Sequence, residues 1–427
     1  MTITAIHQLF LTCSSVSIDT RKIAPNSLFV AIKGERFDAN TFAKEAIEKG
    51  AAYVIIDNQE YYINEQTILV EDSLITLQEL ASFHRDYLKL PIIALTGSNG
   101  KTTTKELIQS VLSQKFNAKA TLGNLNNHIG VPLTLLSFTK ETEIGIVEMG
   151  ANHQKEIEFL CEIAQPDYGY ITNFGKAHLE GFGGVEGVIK GKSEMYSFLR
   201  QHHKTVFVNL DDTIQVEKSI GIKSVSFSQK EKDASVFIQK VTANPLVSIA
   251  FNATQIHSHL IGLYNANNIN AAITIGHYFG VTDDQIKTAI ESYIPENNRS
   301  QLLTKGSNEI ILDAYNANPS SMKVALENFI QLDKSNKMII IGDMFELGVE
   351  SLNEHKAIVN QLIREDNVGC YFVGNDFYSN KVEKENFHFY PTFESFSDYL
   401  KEINFANKMI LIKGSRGMAL ERTLEFL

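Results

Sequence analysis

The segment PIIALTGSNGKTTTKELIQSVL, Pro91 to Leu112, constrains this chain more than any other. An apolar, β-branched run opened by Pro91 reads as a buried parallel strand ending near Leu95. After the glycine-bearing turn, Leu107, Val111 and Leu112 fall on one helical face. A strand, a glycine loop and a helix N-terminus in that order expose unsatisfied backbone N–H groups and the positive end of a helix dipole, which favour an anion. Lys101 would add a point charge for phosphate oxygens, and the Thr102 hydroxyl would reach magnesium. The pattern departs from G-x-x-x-x-G-K-[ST], because Leu95 stands where the first glycine belongs. A tight glycine turn beside an ordinary surface lysine accounts for the same residues, and the motif alone does not separate the two.

A chain of 427 residues is long for one core, and roughly 150 residues per domain suggests about three domains. With 44% hydrophobic and 21% charged residues the composition is that of a soluble globular protein, and a formal charge of -11 offers no basic footprint for nucleic acid or a membrane surface. Any anionic substrate must therefore be drawn by local groups. Cys13, Cys161 and Cys370 are scattered and odd in number, which fits a reducing compartment and argues against a disulfide framework or structural zinc. The opening MTITAIHQLFLTC lacks a basic leader, and no stretch approaches the ~20 apolar residues of a membrane span. The expectation is a cytoplasmic protein without nucleic-acid partner or membrane insertion, acting as a monomer.

Residues 1–89 mix short strands such as SLFVAIKG and AAYVIID with helical stretches, forming a small α/β unit. From 90 to 296, strands PIIALTG, EIGIVEMG, DYGYITNFG and TVFVNLDD alternate with helices, which indicates a mainly parallel sheet. Within it, ASVFIQKVTANPLVSIAFNATQIHSHL alternates with period two and predicts an antiparallel extension. Residues 297–427 place EIILDAYN, KMIIIGD, GCYFVG and KMILIKGS between helices, as in a doubly wound domain. The fold class is α/β in three domains, with the phosphate-loop candidate on the central sheet.

Parallel strands deliver functional groups at their C-terminal ends. GIVEMGANH brings Glu148 there, a plausible magnesium ligand, and YITNFGKAHLEGFGG brings Asn173 and His178. His178 in isolation reads equally as a packed or surface histidine. EGVIKGKSEMYSF holds Lys190 and Lys192, which read as solvated helix lysines unless the site claims one. Asn265 and Asn268, three apart near a helix start, suit either reading a base edge or capping. Arg299 suits phosphate pairing or bracing of a domain border. Asp313, Tyr315, Asn316 and Asn318 supply more polar groups than a turn needs.

These strings resemble the Mur ligase family over nearly the whole chain. SIDTRK, FDANTFAKEAIEKGA, NLNNHIGVPLTLL, EMGANH, AHLEGFG, YNANN, DAYNANPSSM, GDMFELG and KGSRGMALE follow in order. In that family the shortened loop T-G-x-x-G-K-T is the normal form, so Leu95 is no defect. The resemblance implies a UDP-substrate domain at 1–89, a P-loop ATPase domain at 90–296 and a ligase domain at 297–427. It implies ATP-dependent amide-bond formation in peptidoglycan precursor synthesis, and most closely the branch that joins D-alanyl-D-alanine to a UDP-N-acetylmuramoyl-tripeptide through an acyl phosphate. Carried over by position, Thr96, Gly97, Ser98, Asn99, Gly100, Lys101, Thr102 and Thr103 would hold the ATP phosphates. Asn265, Asn268, Arg299, Asp313 and Tyr315 would complete the nucleotide site. Thr102 and Glu148 would bind one Mg2+, and His178 with a carbamylated Lys192 a second. Lys101, Glu148, His178 and Lys192 would be the catalytic set. Ser17, Asp19, Thr20 and Arg21 would contact the UDP sugar, and Asn124, Asn126 and Asn127 the muramoyl peptide. Asn316, Lys413, Ser415 and Arg416 would face the acceptor.

Two rival readings share these residues. A sister ligase, or a folylpolyglutamate-type ligase, would add a single amino acid, and DAYNANPSSM with GDMFELG argues against it. A silent muropeptide-binding protein on the same fold would be expected to lose Lys101 or Glu148, and both are present.

Overall fold

The computed structural model describes every residue except Arg36 and Asn297, so the expected boundary at 296/297 touches a residue outside the described set. Among the described residues the strands form three sheets. The first holds β1 (Val16–Ser17), β2 (Ser27–Val30), β3 (Ala51–Ile56) and β4 (Thr67–Leu69), all parallel in that order. The second runs from β5 (Ile92–Thr96) through β6 (Ala118–Ala120), β7 (Ile144–Glu148), β8 (Tyr168–Ile171), β9 (Thr205–Asn209), β10 (Lys223–Ser228), β11 (Val236–Ala243) and β12 (Leu246–Phe251) to β13 (Thr254–Ile261). Its spatial order is β13-β12-β11-β10-β9-β8-β5-β7-β6. β11, β12 and β13 pair antiparallel, as their period-two alternation predicts, and the other pairings of this sheet are parallel. The third sheet comprises β14 (Gln301–Lys305), β15 (Asn308–Asp313), β16 (Lys337–Gly342), β17 (Gly369–Val373), β18 (Phe387–Tyr390) and β19 (Met409–Lys413). Its order is β14-β15-β19-β16-β17-β18, parallel but for the β14 edge.

Two consequences fix the site. β5 and β7 are buried along their whole length, because helices cover both faces of the sheet. β5 also lies between β7 and β8, so the chain leaves it toward one edge, returns as β7, and crosses to the other side as β8. That reversal opens a crevice at the carboxyl end of β5, the usual ligand position in an open α/β sheet.

The first domain is fastened to the second by helix Ser73–Leu88, N-capped by the Asp72 carboxylate, which accepts from Ile75 N–H. Arg85 and Lys204 both pair with Asp167, at 2.8 and 2.7 Å, and Asp167 also accepts from Ile92 N–H. Beside them two buried imidazoles form a relay. His84 Nε2 lies 2.9 Å from Phe138 O, a carbonyl that can only accept, so His84 Nδ1 must accept from His7 Nε2 at 3.0 Å. Both rings are neutral in that arrangement. Burial lowers both, and His84 lowers His7 further, to about 4 from the ordinary 6.5.

Between about pH 4 and 6.5 the unfolded chain therefore protonates His7 and the folded chain does not. Stability from this relay is fully present above 6.5 and lost as pH falls toward 4. Thermal melts should show the wild type losing more stability between pH 7 and 5 than His7→Phe, whose buried ring cannot titrate. Parallel pH profiles for the two proteins would refute this.

Candidate functional site

The glycine loop opens directly from β5. Leu95 is a buried strand residue, registered against Glu148 on one side and Tyr170 on the other, so the strand runs one residue further than a longer phosphate loop would allow. Gly97 has φ +142°, and a Cβ there would lie 2.0 Å from Thr172 Oγ1. Gly100 has φ +78°, and a Cβ there would meet Asn268 Oδ1 at 2.6 Å. Both positions need glycine. Helix Lys101–Leu112 starts at Gly100 with no side chain capping it, which leaves its first N–H groups to an incoming anion.

The loop is braced from behind. Asn99 N–H donates to Asn173 Oδ1 at 3.1 Å, the Thr172 hydroxyl donates to Asn99 O at 2.6 Å, and the Ser98 hydroxyl donates to Gly175 O at 2.7 Å. The Thr96 hydroxyl is spent on Met149 O. Lys101 Nζ curls back to Gly97 O at 2.7 Å; burial lowers its pKa, opposed by Glu148 and reinforced by Arg299. Thr102 and Thr103 follow at the buried helix start.

Glu148 sits at the end of β7, 1% exposed, with Oε1 accepting from Asn126 Nδ2 at 2.8 Å and Oε2 without a hydrogen-bond partner. A buried carboxylate oxygen left unpartnered beside a hydroxyl and a phosphate-binding loop is a fitting donor for a hard divalent cation, whose remaining ligands would be phosphate oxygens and water. Among the described residues no three His, Cys, Asp or Glu side chains converge as a self-sufficient metal cage.

These groups line one cleft of ≈ 870 Å³ shared by the second and third domains. Of the residues expected from sequence, it gathers Ser98 to Thr103, Asn124, Asn126, Asn127, Glu148, His178, Asn265, Asn268, Arg299, Asp313, Tyr315, Asn316, Lys413, Ser415 and Arg416. Several are also committed to internal bonds. Asn127 Oδ1 accepts from Ile129 and Gly130 N–H at the start of helix Gly130–Leu136. Asn268 donates to Asn265 Oδ1 and accepts from the Thr104 hydroxyl, buttressing the loop helix. Asp313 pairs with Lys413 at 2.6 Å, although the two were assigned to different ligands. The Arg299 guanidinium stacks 3.5 Å from the Tyr315 ring centre, and that of Arg416 lies at 4.8 Å.

Three groups of expected residues stand outside the cleft lining, the first being Thr96 and Gly97 where β5 ends, the Thr96 hydroxyl being bound to Met149 O. Ser17, Asp19, Thr20 and Arg21 lie in the first domain, where Arg21 and Asp19 form an exposed pair at 2.8 Å. Lys192, in helix Val185–Gln201, is 1% exposed; its Nζ donates to Ala151 O at 3.1 Å and lies 5.0 Å from the Phe182 ring centre. Burial pushes its ammonium well down, and nearby Lys101 adds to this. Lys190 on the same helix is exposed, which separates the two lysines.

Sequence reading missed two groups. Lys105, one turn beyond Lys101, is 2% exposed with Nζ 3.9 Å from Glu148 Oε2; its helical spacing from Lys101 was the available signal. Glu346 comes from the third domain to face His178, whose hydrogen bond holds that carboxylate below its usual range. Nothing local in GDMFELG announces such a contact. Around it the Asn318 amide donates to Asn99 Oδ1 at 2.7 Å, Lys176 pairs with Glu354 at 2.6 Å, and Lys176 N–H donates to the Ser320 hydroxyl.

Comparison with known proteins places this geometry. The chain matches the Mur ligase family, catalytic domain over residues 12–85, the Mur ligase middle domain over 95–276, and the Mur ligase, glutamate ligase domain over 298–416. It is 33% identical to the UDP-N-acetylmuramoyl-tripeptide--D-alanyl-D-alanine ligase of Bacillus subtilis, covering 96% of this chain and 92% of that one. It is 35% identical to the enzyme of that name from Escherichia coli, covering 80% and 77%. A crystal structure of MurF from Acinetobacter baumannii superposes with TM-score 0.86 at 29% identity over 99% of this chain and 97% of that one. The MurF ligase of Thermotoga maritima in complex with ADP gives 0.84 at 26% identity over 98% and 97%.

Gly97→Ala should lower stability by about 1–3 kcal/mol and abolish ADP binding, because the new methyl group drives the loop off Thr172. Calorimetric titration with ADP and a thermal melt read the two effects; wild-type values for both would show that the loop tolerates a side chain.

Proposed function

The chain belongs to the Mur ligase family, and on that premise we propose that it joins D-alanyl-D-alanine to UDP-N-acetylmuramoyl-tripeptide while converting ATP to ADP and phosphate. The single observation that carries the reading in this chain is the uncapped helix start with Lys101 and Glu148 lining the same cleft, one Glu148 oxygen being left without a hydrogen bond.

A carboxylate oxygen of the tripeptide attacks the γ-phosphorus of ATP, the bond to the bridging oxygen breaks, and ADP leaves an acyl phosphate. The amine of the dipeptide then attacks the acyl carbon; the tetrahedral adduct loses phosphate and a proton, leaving the amide. Two anions must meet, so charge compensation dominates and no protein nucleophile is needed. The N–H groups of the loop and Lys101 receive the β- and γ-phosphates. Arg299, held flat on Tyr315, reaches the transferring group from the third domain. Thr102 and Glu148 would hold magnesium, which supplies further charge neutralisation on the phosphates. Asn124, Asn126 and Asn127, which share the cleft, would meet the muramoyl peptide, and Arg416, with Lys413 paired to Asp313 beside it, would meet the acceptor. Ser17 to Arg21 would take the UDP end in the first domain. Among the described residues no helix is long and apolar enough to cross a membrane, and we place the reaction in the cytoplasm.

Lys192 fits a second metal site only with its sign changed. As an ammonium it would repel a divalent cation, and its burial already favours the neutral amine that reacts with carbon dioxide. Carbamylation would turn it into a carboxylate-like donor, which with His178 would hold a second metal.

Sustained release of ADP, beyond the single turnover that forms the acyl phosphate, should require both the tripeptide substrate and D-alanyl-D-alanine, with single D-alanine, glutamate or lysine failing as acceptor. Lys101→Ala should keep the fold and lose at least about a thousandfold in turnover. Equal turnover with a single amino acid would move the assignment to a sister enzyme, and near-normal turnover of Lys101→Ala at saturating ATP would end the phosphate-loop reading.

For Lys192, Lys192→Ala should lose activity that short-chain carboxylic acids partly restore. Mass spectrometry of trapped carbamate, or density for an unmodified amine in crystals grown with bicarbonate and magnesium, decides whether the modification exists.

A further inference from the structure

Lys105 has no role in the reaction as described, yet the fold spends heavily on it. It is among the largest fully buried side chains, and burying an ammonium is costly unless it is paired. Three acceptors surround its Nζ: Glu148 Oε2 at 3.9 Å, Glu106 Oε1 at 3.9 Å and Gly123 O at 3.5 Å. Glu106 is itself held, through its other oxygen, by the Tyr293 hydroxyl at 2.6 Å. Tyr293 ends helix Asp283–Ser292, next to the segment that leads into the third domain.

The Glu148 contact is long for a hydrogen bond, so Oε2 is charge-compensated by Lys105 while keeping its hydrogen-bonding capacity unused. Asn126 secures the other oxygen, and Asn126 follows Gly123 in the same loop. One lysine thus touches both the carboxylate that would hold the metal and the loop that steadies it.

We propose that Lys105 is a positioning residue for the metal: it holds the Glu148 carboxylate and the Gly123–Asn126 loop in a single arrangement, with Glu106 and Tyr293 fixing the lysine in turn. This rests on the nucleotide and metal reading given above. A cation behind a ligating carboxylate orients it in the way that outer hydrogen bonds orient metal ligands generally. A purely structural lysine would share the burial but not the contact with Oε2, and its loss would move stability alone.

The test is Mn2+ binding followed by electron paramagnetic resonance, with ADP present, on the full chain. In Lys105→Met the Mn2+ dissociation constant should rise at least about fivefold while ADP affinity without metal stays within twofold, and Lys105→Arg should recover part of the loss. Tyr293→Phe, which frees Glu106 and disturbs the fold less, should raise the constant at least about twofold and serves where Lys105→Met does not fold. Unchanged or tighter Mn2+ binding in a folded Lys105→Met, or in Tyr293→Phe if that variant alone folds, overturns the proposal. Failure of the wild type to bind Mn2+ with ADP overturns instead the reading on which it rests.

Discussion

The free N–H groups at the start of helix Lys101–Leu112 make the demand that the rest of the molecule answers. They are left uncapped at a point where the backbone must turn through two positive-φ glycines, and Thr172, Asn173 and Asn268 pack so close to that turn that they fill the place a Cβ would take. Once the loop is fixed, the end of β7 delivers Glu148 beside it, since parallel register allows no other depth. An anion-seeking helix end and a cation-seeking carboxylate side by side leave few ligands that satisfy both, and a metal-bound polyphosphate is one.

The remaining domains answer geometric needs of that pair. The first is locked to the second by the buried His84 ring on Phe138 O, with His7 behind it, and by the partly exposed Asp167 shared by Arg85 and Lys204. Apolar packing then runs continuously from Leu77 and Leu80 through Val147 and Ile171 to Ile311 and Ile339 of the third domain. The third domain brings Arg299, Tyr315, Lys413 and Arg416 to a cleft whose floor it does not build. On the proposed reading the central sheet would hold the phosphates and the third domain would offer the acceptor.

Most of the fold was legible because its signals are local and periodic. Continuous apolar runs gave the parallel strands, and strict alternation gave the antiparallel β11–β13 extension. Leu95 misleads a pattern search yet obeys strand physics, since an apolar residue suits a position flanked by two strands. The cleft residues on β5, β7 and their loops were found because strand ends announce themselves. What escaped depends on contacts distant in sequence: Glu346 reaches His178 only after two domains meet, and Lys105 looks like any helix lysine until Glu148 and the loop after β6 come to it. The pairing of Asp313 with Lys413, one hundred residues apart, belongs to the same class.

The junction over the loop is built in two chemical grades. At its centre the Asn318 amide meets Asn99, a neutral contact next to the phosphate position; at its margin Lys176 meets Glu354 and His178 meets Glu346, each with a solvent-facing partner. Ions in solution screen the Lys176–Glu354 pair and leave the neutral amide contact almost untouched. Raising ionic strength would therefore loosen the rim before the centre, giving the third domain a graded grip in which the contact that touches the nucleotide loop is the last to feel the medium.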